Sequence, residues 1–298
     1  MKGMNDNLLR KEVAAIVSEA AGEPVQVTGM SPLGGGCIND AQRVETDNGR
    51  FFMKYNSASR YPGMFEAEAR GLTLLESAGC LKVPSVVGYG ETGRDSLLVL
   101  EYIVSAGQQD GFWQDFGKGL AQLHQQEPGD GKFGLDHDNY IGSLPQRNRH
   151  HASWTDFFIA ERLEAQLKMA RDDGRAGKEL TAMFGKMYRF LPDFFPEEPP
   201  ALLHGDLWSG NYMTGEEGEP VIIDPAVYYG HRYMDLGMSK LFGGFSTAFY
   251  EAYDEHYPLE KGWQEGIEIA NLYPLMVHVN LFGGGYLGQV KSKIRQFA

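Results

Sequence analysis

The segment His204-Gly205-Asp206-Leu207-Trp208-Ser209-Gly210-Asn211, followed shortly by Val221-Ile222-Ile223-Asp224-Pro225, gathers side chains suited to one kind of catalysis. Both polar clusters emerge from apolar runs, so their carboxylates are expected where strands end. Phosphoryl transfer needs a carboxylate beside the attacking hydroxyl and oxygen ligands for the Mg²⁺ that accompanies a triphosphate. An Asp-x₄-Asn loop with a strand-end Asp behind it supplies these parts, and Asp206 to Asn211 has that spacing. The pattern is short and its residues are common in loops, so it needs support from the rest of the chain.

That support lies in the first third. Gly34-Gly35-Gly36-Cys37-Ile38-Asn39 separates two β-patterned segments, and Lys54 sits in the strand after the next hairpin. Glycines let backbone N–H groups approach phosphate oxygens, and a lysine on the third strand can reach the α and β phosphates. Glu68, on the following helix, can hold that lysine. Asn39 stands where the protein-kinase pattern has its third glycine. Taken singly, the glycines could be a plain turn and Lys54 an exposed strand residue. Taken in order, Gly-rich turn, strand lysine, helix glutamate, apolar strand, hinge, HxD…N and strand-end Asp form a coherent nucleotide-dependent site.

Competing motifs fare less well. Gly283-Gly284-Gly285-Tyr286-Leu287-Gly288 matches GxGxxG, but too little chain follows it for a βαβ unit, so it reads as a turn or a close-packing point. No GxxxxGK[ST] and no GxSxG occurs. His204 and Asp206 with His150 and His151 could form a metal cluster, though neither HExxH nor clustered cysteines accompany them.

The elements that must position these residues follow from periodicity. Leu8, Leu9, Val13, Ile16 and Val17 recur at helical spacing, the pattern of an amphipathic first helix in a cytoplasmic protein rather than of a signal peptide. From about Val25 to Val104 the pattern is β-rich with one inserted helix. Ser31 to Gly36 reads as a turn, and Gln42 to Val44 and Phe51 to Tyr55 flank a hairpin at Asn48-Gly49, both residues tolerating positive φ. Phe65, Leu72 and Leu75 mark a helix that Gly79 should cap. Leu97 to Leu100 reads as a buried strand running into Glu101-Tyr102-Ile103, and Ser105 to Asp110 as a hinge. Beyond it the chain becomes mainly helical, with Phe116, Leu120 and Leu123 as an inner stripe ending before Pro128, and Ser153 with Asp156 opening a further helix. Short strands are expected at Ala201 to Leu203, Tyr212 to Thr214 and Val221 to Ile223. This predicts two lobes, 1–104 and 105–298.

Composition bounds the partners. The 298 residues are 42% hydrophobic and 22% charged, which excludes a disordered chain, and no apolar run approaches the roughly 18 residues needed to span a bilayer. With 27 Lys and Arg against 40 Asp and Glu, the net charge of −13 has the wrong sign for nucleic acid. Cys37 and Cys80 lie too far apart for a CxxC motif, which suits a reducing compartment.

The chain resembles the fructosamine kinase, or ketosamine-3-kinase, family within the aminoglycoside-phosphotransferase-like group. The resemblance rests on the residues from Gly34 to Asn39, Asp138-Asn139-Tyr140-Ile141-Gly142, His204 to Asn211, Asp224-Pro225-Ala226, Tyr229-Gly230-His231 and Leu241-Phe242-Gly243-Gly244-Phe245. It implies an α+β, two-lobed protein-kinase-like fold and ATP-dependent phosphorylation of the 3-hydroxyl of ketosamines, a deglycation repair. It further implies Asp206 as catalytic base or orienting group, Asn211 and Asp224 as Mg²⁺ ligands, and Lys54 with Glu68 at the phosphates. Leu100, Glu101, Tyr102 and Ile103 would hold adenine. Trp208 would stack on the sugar or pack the loop; His231 and Asp235 would lie on the substrate side, with Asp235 also bracing the loop. Tyr233 departs from the pattern, which has glutamate there. Cys37, in the phosphate turn, could make ATP binding sensitive to oxidation. The alternatives are a related kinase of an aminoglycoside, choline-like alcohol or sugar, and a non-catalytic nucleotide-binding module.

Overall fold

A computed structural model describes residues 2–34 and 39–297, with side chains from residue 7 onward. Gly35, Gly36, Cys37 and Ile38, which the sequence assigns to phosphate binding, lie outside the described residues. The chain divides into two compact units, 1–109 with 213–223 and 110–212 with 224–298. The first boundary falls at the end of the expected hinge rather than at 104, and residues 213–223 leave the second unit for the first. Ala106 and Gln109 donate backbone hydrogen bonds to Gly215 and Gly218 (3.3 and 3.1 Å), and Ile222 donates to Lys82 (3.0 Å). Those bonds tie the later segment to the hinge and are invisible in a linear pattern.

In the first unit, β1 (Val27–Leu33), β2 (Asp40–Thr46), β3 (Gly49–Ser57), β4 (Val86–Glu91) and β5 (Asp95–Glu101) form an antiparallel sheet in the order β1-β2-β3-β5-β4. Pro32 pairs with Gln42 inside β1, so the strand persists through residues expected to turn. An edge strand tolerates a proline because one side of its backbone has no partner. Helix α1 (Lys2–Ala21) buries Leu9, Val13, Ile16 and Val17 against Val44, Met53, Leu97 and Val99, while Leu8 stays 43% exposed. Gly88 permits that packing, since a Cβ there would lie 2.7 Å from Ile16. The β2–β3 loop is Asp47-Asn48, with Thr46 opposite Gly49. Only Gly49 adopts positive φ (127°), and the Thr46 hydroxyl accepts the Asn48 N–H at 3.1 Å, so the turn forms without a left-handed asparagine. Helix α2 (Met64–Ala78) ends at Gly79, whose φ of 63° and N–H to Glu76 make the expected left-handed cap.

The second unit is mainly helical. Helix α3 (Phe112–Leu123) ends well before Pro128. Ser153 caps α4 (Trp154–Phe157) by accepting the Asp156 N–H, after which the chain takes a π-helical turn (Phe158–Leu163) into α5 (Glu164–Asp172). A short hairpin, β6 (Asn139–Ile141) and β7 (Leu144–Gln146), precedes them. Helices α6 (Lys178–Met187) and α7 (Leu191–Phe194) lead to β8 (Ala201–Leu203) and β9 (Tyr212–Thr214). Strand β8 pairs with β11 (Tyr228–Gly230), whereas β9 pairs with β10 (Pro220–Ile222) in the segment that, from Met213 on, belongs to the first unit. Helices α8 (Tyr233–Leu241), α9 (Thr247–His256), α10 (Trp263–Ala270), α11 (Leu272–Phe282) and α12 (Tyr286–Phe297) complete the second unit. The GxGxxG match is the α11–α12 turn. Gly283 and Gly284 have φ of 65° and 61°, and Cβ atoms at 283, 284 and 285 would meet nothing within 4 Å, so the glycines serve the turn and not close packing. Among the described residues no helix is long and apolar enough to cross a membrane.

Candidate active site

Strand β8 is buried throughout and delivers the chain to His204 at its end. What happens next is dictated by Asp235, a fully buried carboxylate on α8. Its Oδ2 accepts the His204 N–H (2.8 Å) and its Oδ1 the Gly205 N–H (2.9 Å), while His124 Nε2 lies 3.2 Å from Oδ2. Burial alone would raise this carboxyl, but the hydrogen bonds and fields of His124, His204 and Gly205 hold it below its ordinary value. His124, itself lowered by burial, is fixed through Nδ1 by the Tyr253 hydroxyl at 2.8 Å. Gly205 cannot be replaced without rebuilding the loop: its φ is 84° and a Cβ would fall 2.1 Å from the Ala226 carbonyl.

The braced loop presents Asp206. Asn211 donates through Nδ2 to the Asp206 carbonyl (2.9 Å) and carboxylate (3.0 Å), and lies 3.5 Å from the Asp224 carbonyl. Burial pushes the Asp206 carboxyl up to about 7, with Asp224 and Asp235 adding to the rise and Asn211 opposing it. Asp224 has φ of 55°, the one non-glycine residue with positive φ among the described residues. The donor set suits a small, hard divalent cation: the Asn211 nitrogen is committed to Asp206, so Oδ1 is the atom it can offer, beside the carboxylates of Asp206 and Asp224. Three predicted residues, Asp206, Asn211 and Asp224, are therefore brought together.

In the first unit Lys54, 5% exposed, meets Glu68 at 2.6 Å, the pairing expected from their order along the chain. Gly34 lies in a bend just beyond β1. Asn39, in the place of the third glycine, accepts a hydrogen bond from Asn56 Nδ2 (2.9 Å), and Asn56 accepts one from Ser96 (2.8 Å). The side chain that breaks the glycine pattern is thus tied to the lysine strand. Leu100 is buried, and the Glu101 N–H donates to Ser85 (2.9 Å), so that donor is already used within the sheet. Arg50 lies 5.6 Å from the ring centre of Tyr102, and Ile103 follows beyond the strand.

Two expectations are corrected. His231 does not face a substrate: it is 1% exposed, its Nδ1 accepts the Tyr233 N–H, its Nε2 lies 3.2 Å from the Pro196 carbonyl, and burial lowers it to about 3. Aromatic rings of Trp154, Phe195 and Tyr233 enclose it, which makes it a neutral core residue. Asp235 likewise reaches no substrate and acts only as the brace. His150 and His151 are engaged elsewhere, with Asp130 (3.1 Å) and Glu161 (3.0 Å). Trp208 folds over Gly210, where a Cβ would lie 2.4 Å from its ring, and meets Phe242 edge-on at 6.2 Å, yet remains 37% exposed. Sequence reasoning missed His124 and Asn56, since neither falls in a recognisable spacing.

Tyr233 is buried against Phe195 and His231, in space that Gly266 leaves open, and its hydroxyl has no hydrogen-bond partner among the described residues. A buried, unpartnered hydroxyl costs about 1–3 kcal/mol. Tyr233→Phe is therefore expected to unfold in urea at an equal or higher midpoint, with turnover unchanged.

An α+β chain with a buried Lys–Glu pair in one unit, and an Asp–Asn loop beside a strand-end Asp in the other, has the architecture of a kinase-like phosphotransferase. Comparison with known proteins narrows this. The sequence model of the fructosamine kinase family matches residues 9–298, and the chain belongs to that family and is an ATP-dependent kinase. It is 39% identical over 284 residues to a probable ketoamine kinase of Synechocystis, covering 95% of each chain. It is 39% identical over 283 residues to the chloroplastic protein-ribulosamine 3-kinase of Arabidopsis thaliana, covering 93% of this chain and 84% of that one. The crystal structure of a putative fructosamine-3-kinase from Haemophilus somnus superimposes with a TM-score of 0.87 at 29% identity, covering 96% of both chains.

Proposed function

We propose that this kinase phosphorylates the 3-hydroxyl of a ketosamine, the sugar adduct that glycation leaves on an amine. The single observation that carries the reading is Asp206, held by Asn211 and by the Asp235-braced loop, in a chain of the fructosamine kinase family. The name of the Arabidopsis relative supports a ribulosamine as acceptor. Asp206 orients the acceptor hydroxyl and takes up its proton as the phosphoryl group departs from ATP. Asn211 and Asp224 would hold Mg²⁺, which when bound neutralises charge on the phosphates. Lys54, fixed by Glu68, supplies a second positive charge to the nucleotide. The exposed part of Trp208 offers an aromatic surface to the sugar or to the cationic amine. Most of the rate gain comes from positioning and charge neutralisation.

The test is ADP release with ATP and Mg²⁺ against a ribulosamine, a fructosamine, an aminoglycoside, choline and no acceptor. Turnover confined to the ketosamines is expected. Turnover only with another alcohol would reassign the substrate, and nucleotide binding without any turnover would make the chain a regulatory module.

A further inference from the structure

The conformation of Asp224 needs a cause. A left-handed backbone is disfavoured for a residue with a Cβ, and the following Pro225 biases its predecessor toward extended geometry. Such a conformer persists only where the surroundings over-determine it. Downstream of Asp224, the carbonyls of Ala226 and Val227 are gripped by side chains of the β6–β7 hairpin. Gln146 Nε2 donates to Ala226 (3.1 Å) and Asn139 Nδ2 to Val227 (2.8 Å). The Ala226 N–H donates back to His204 (2.9 Å), linking this segment to the Asp206 loop.

The grip is itself secured from behind. Gln146 donates also to Asn139 Oδ1 (2.8 Å), which receives a second bond from Asn148 (3.0 Å). The Tyr273 hydroxyl donates to Gln146 Oε1 at 2.6 Å, so the Gln146 amide has a fixed orientation. Arg162 Nη2 donates to Asn148 Oδ1 (2.8 Å). These side chains are all nearly or fully buried. Arg162 comes from the π-helical turn, an irregularity that often marks a functional position, and its guanidinium lies 3.9 Å from the Tyr228 ring centre. A buried cation held by amide oxygens and aromatic faces instead of a carboxylate is a costly arrangement to keep.

We propose that the buried network Asn139–Gln146–Asn148–Arg162–Tyr273 holds Asp224 in its left-handed conformation and so positions the metal-binding carboxylate. The inference rests on the reading of Asp224 as a metal ligand. It assigns a task to Asn139 in the Asp138–Gly142 segment.

Tyr273→Phe deletes one hydroxyl and Gln146→Met replaces the amide with an apolar chain of similar length. The readout is the binding of a non-hydrolysable ATP analogue with and without Mg²⁺. Both variants are expected to bind the metal-free analogue as the parent does, and to lose on the order of tenfold in the strengthening that Mg²⁺ confers. Their kcat should fall while KM for the acceptor stays constant. Asn280→Leu, which breaks a buried hydrogen bond to Gln166 in the same unit, should lower Tm and leave the Mg²⁺ effect intact. Asp224→Ala should abolish it. Parent-like Mg²⁺ coupling in Tyr273→Phe and Gln146→Met, with Asp224→Ala defective, would overturn the network's role while leaving the metal-ligand reading in place. Coupling that survives Asp224→Ala would overturn both.

Discussion

Asp206→Asn is expected to reduce kcat by about 10²–10⁴-fold, the usual contribution of a positioned general base, while ATP affinity stays within about twofold of the parent. The change is nearly isosteric. Asn211 Nδ2 still finds the carbonyl of residue 206 and a side-chain oxygen, so the loop keeps its shape. The Lys54–Glu68 pair, the charge assigned to the nucleotide, is untouched. What disappears is an anion able to take the hydroxyl proton. Single-turnover phosphorylation beside a calorimetric ATP titration separates the two quantities. Near-parental kcat would remove Asp206 from the mechanism and leave the loop without a base.

Asp235→Ala is expected to destabilise the fold by roughly 3–5 kcal/mol and to cost most of the activity. It orphans the buried N–H of His204 and the part-buried N–H of Gly205 and strips His124 of its acceptor. Urea unfolding measures the loss. The pH dependence adds a second signature. Because the folded carboxyl titrates below its unfolded value, its stabilisation is present above about pH 4 and is lost as pH falls through the folded value. The unfolded chain binds more protons in that range, so parental stability rises with pH there. His124, whose folded value is also depressed, contributes the same sign from about pH 6.5 downward. Asp235→Ala should therefore remove the part of the acid limb below about pH 4 that the carboxyl itself supplies, while the His124 part remains. An unchanged limb would show that the brace carries no net charge linkage.

Much of the fold was legible because its signals are local. The β2–β3 hairpin, α2 with its Gly79 cap and the Ser153 cap each arise from residues within a few positions of one another, where turn chemistry and periodicity act directly. The Lys54–Glu68 pair was legible for another reason: a strand lysine followed by one helix leaves few places for a buried ammonium to find a carboxylate. Pro32 inside β1 was misread as a turn, because whether a strand tolerates proline depends on which neighbours it has in the sheet. His231 was misread as a site residue, because the resemblance of Tyr229-Gly230-His231 says nothing of the aromatic shell that desolvates it.

The sequence alone determined the chemistry: an Asp–Asn loop, a strand-end Asp and a paired lysine in kinase order, in a chain whose composition argues against nucleic acid as a partner. Those are choices of functional group, and functional groups are written in residue types. Tertiary structure decided their aim. Asp235 reaches His204 from 31 residues away, and Asn139 reaches Val227 from 88. The left-handed turn at Asp224 and the return of residues 213–223 to the first unit have the same origin. A buried polar group takes whichever partner the packed core brings within hydrogen-bond reach, and that choice is made only when the chain has folded.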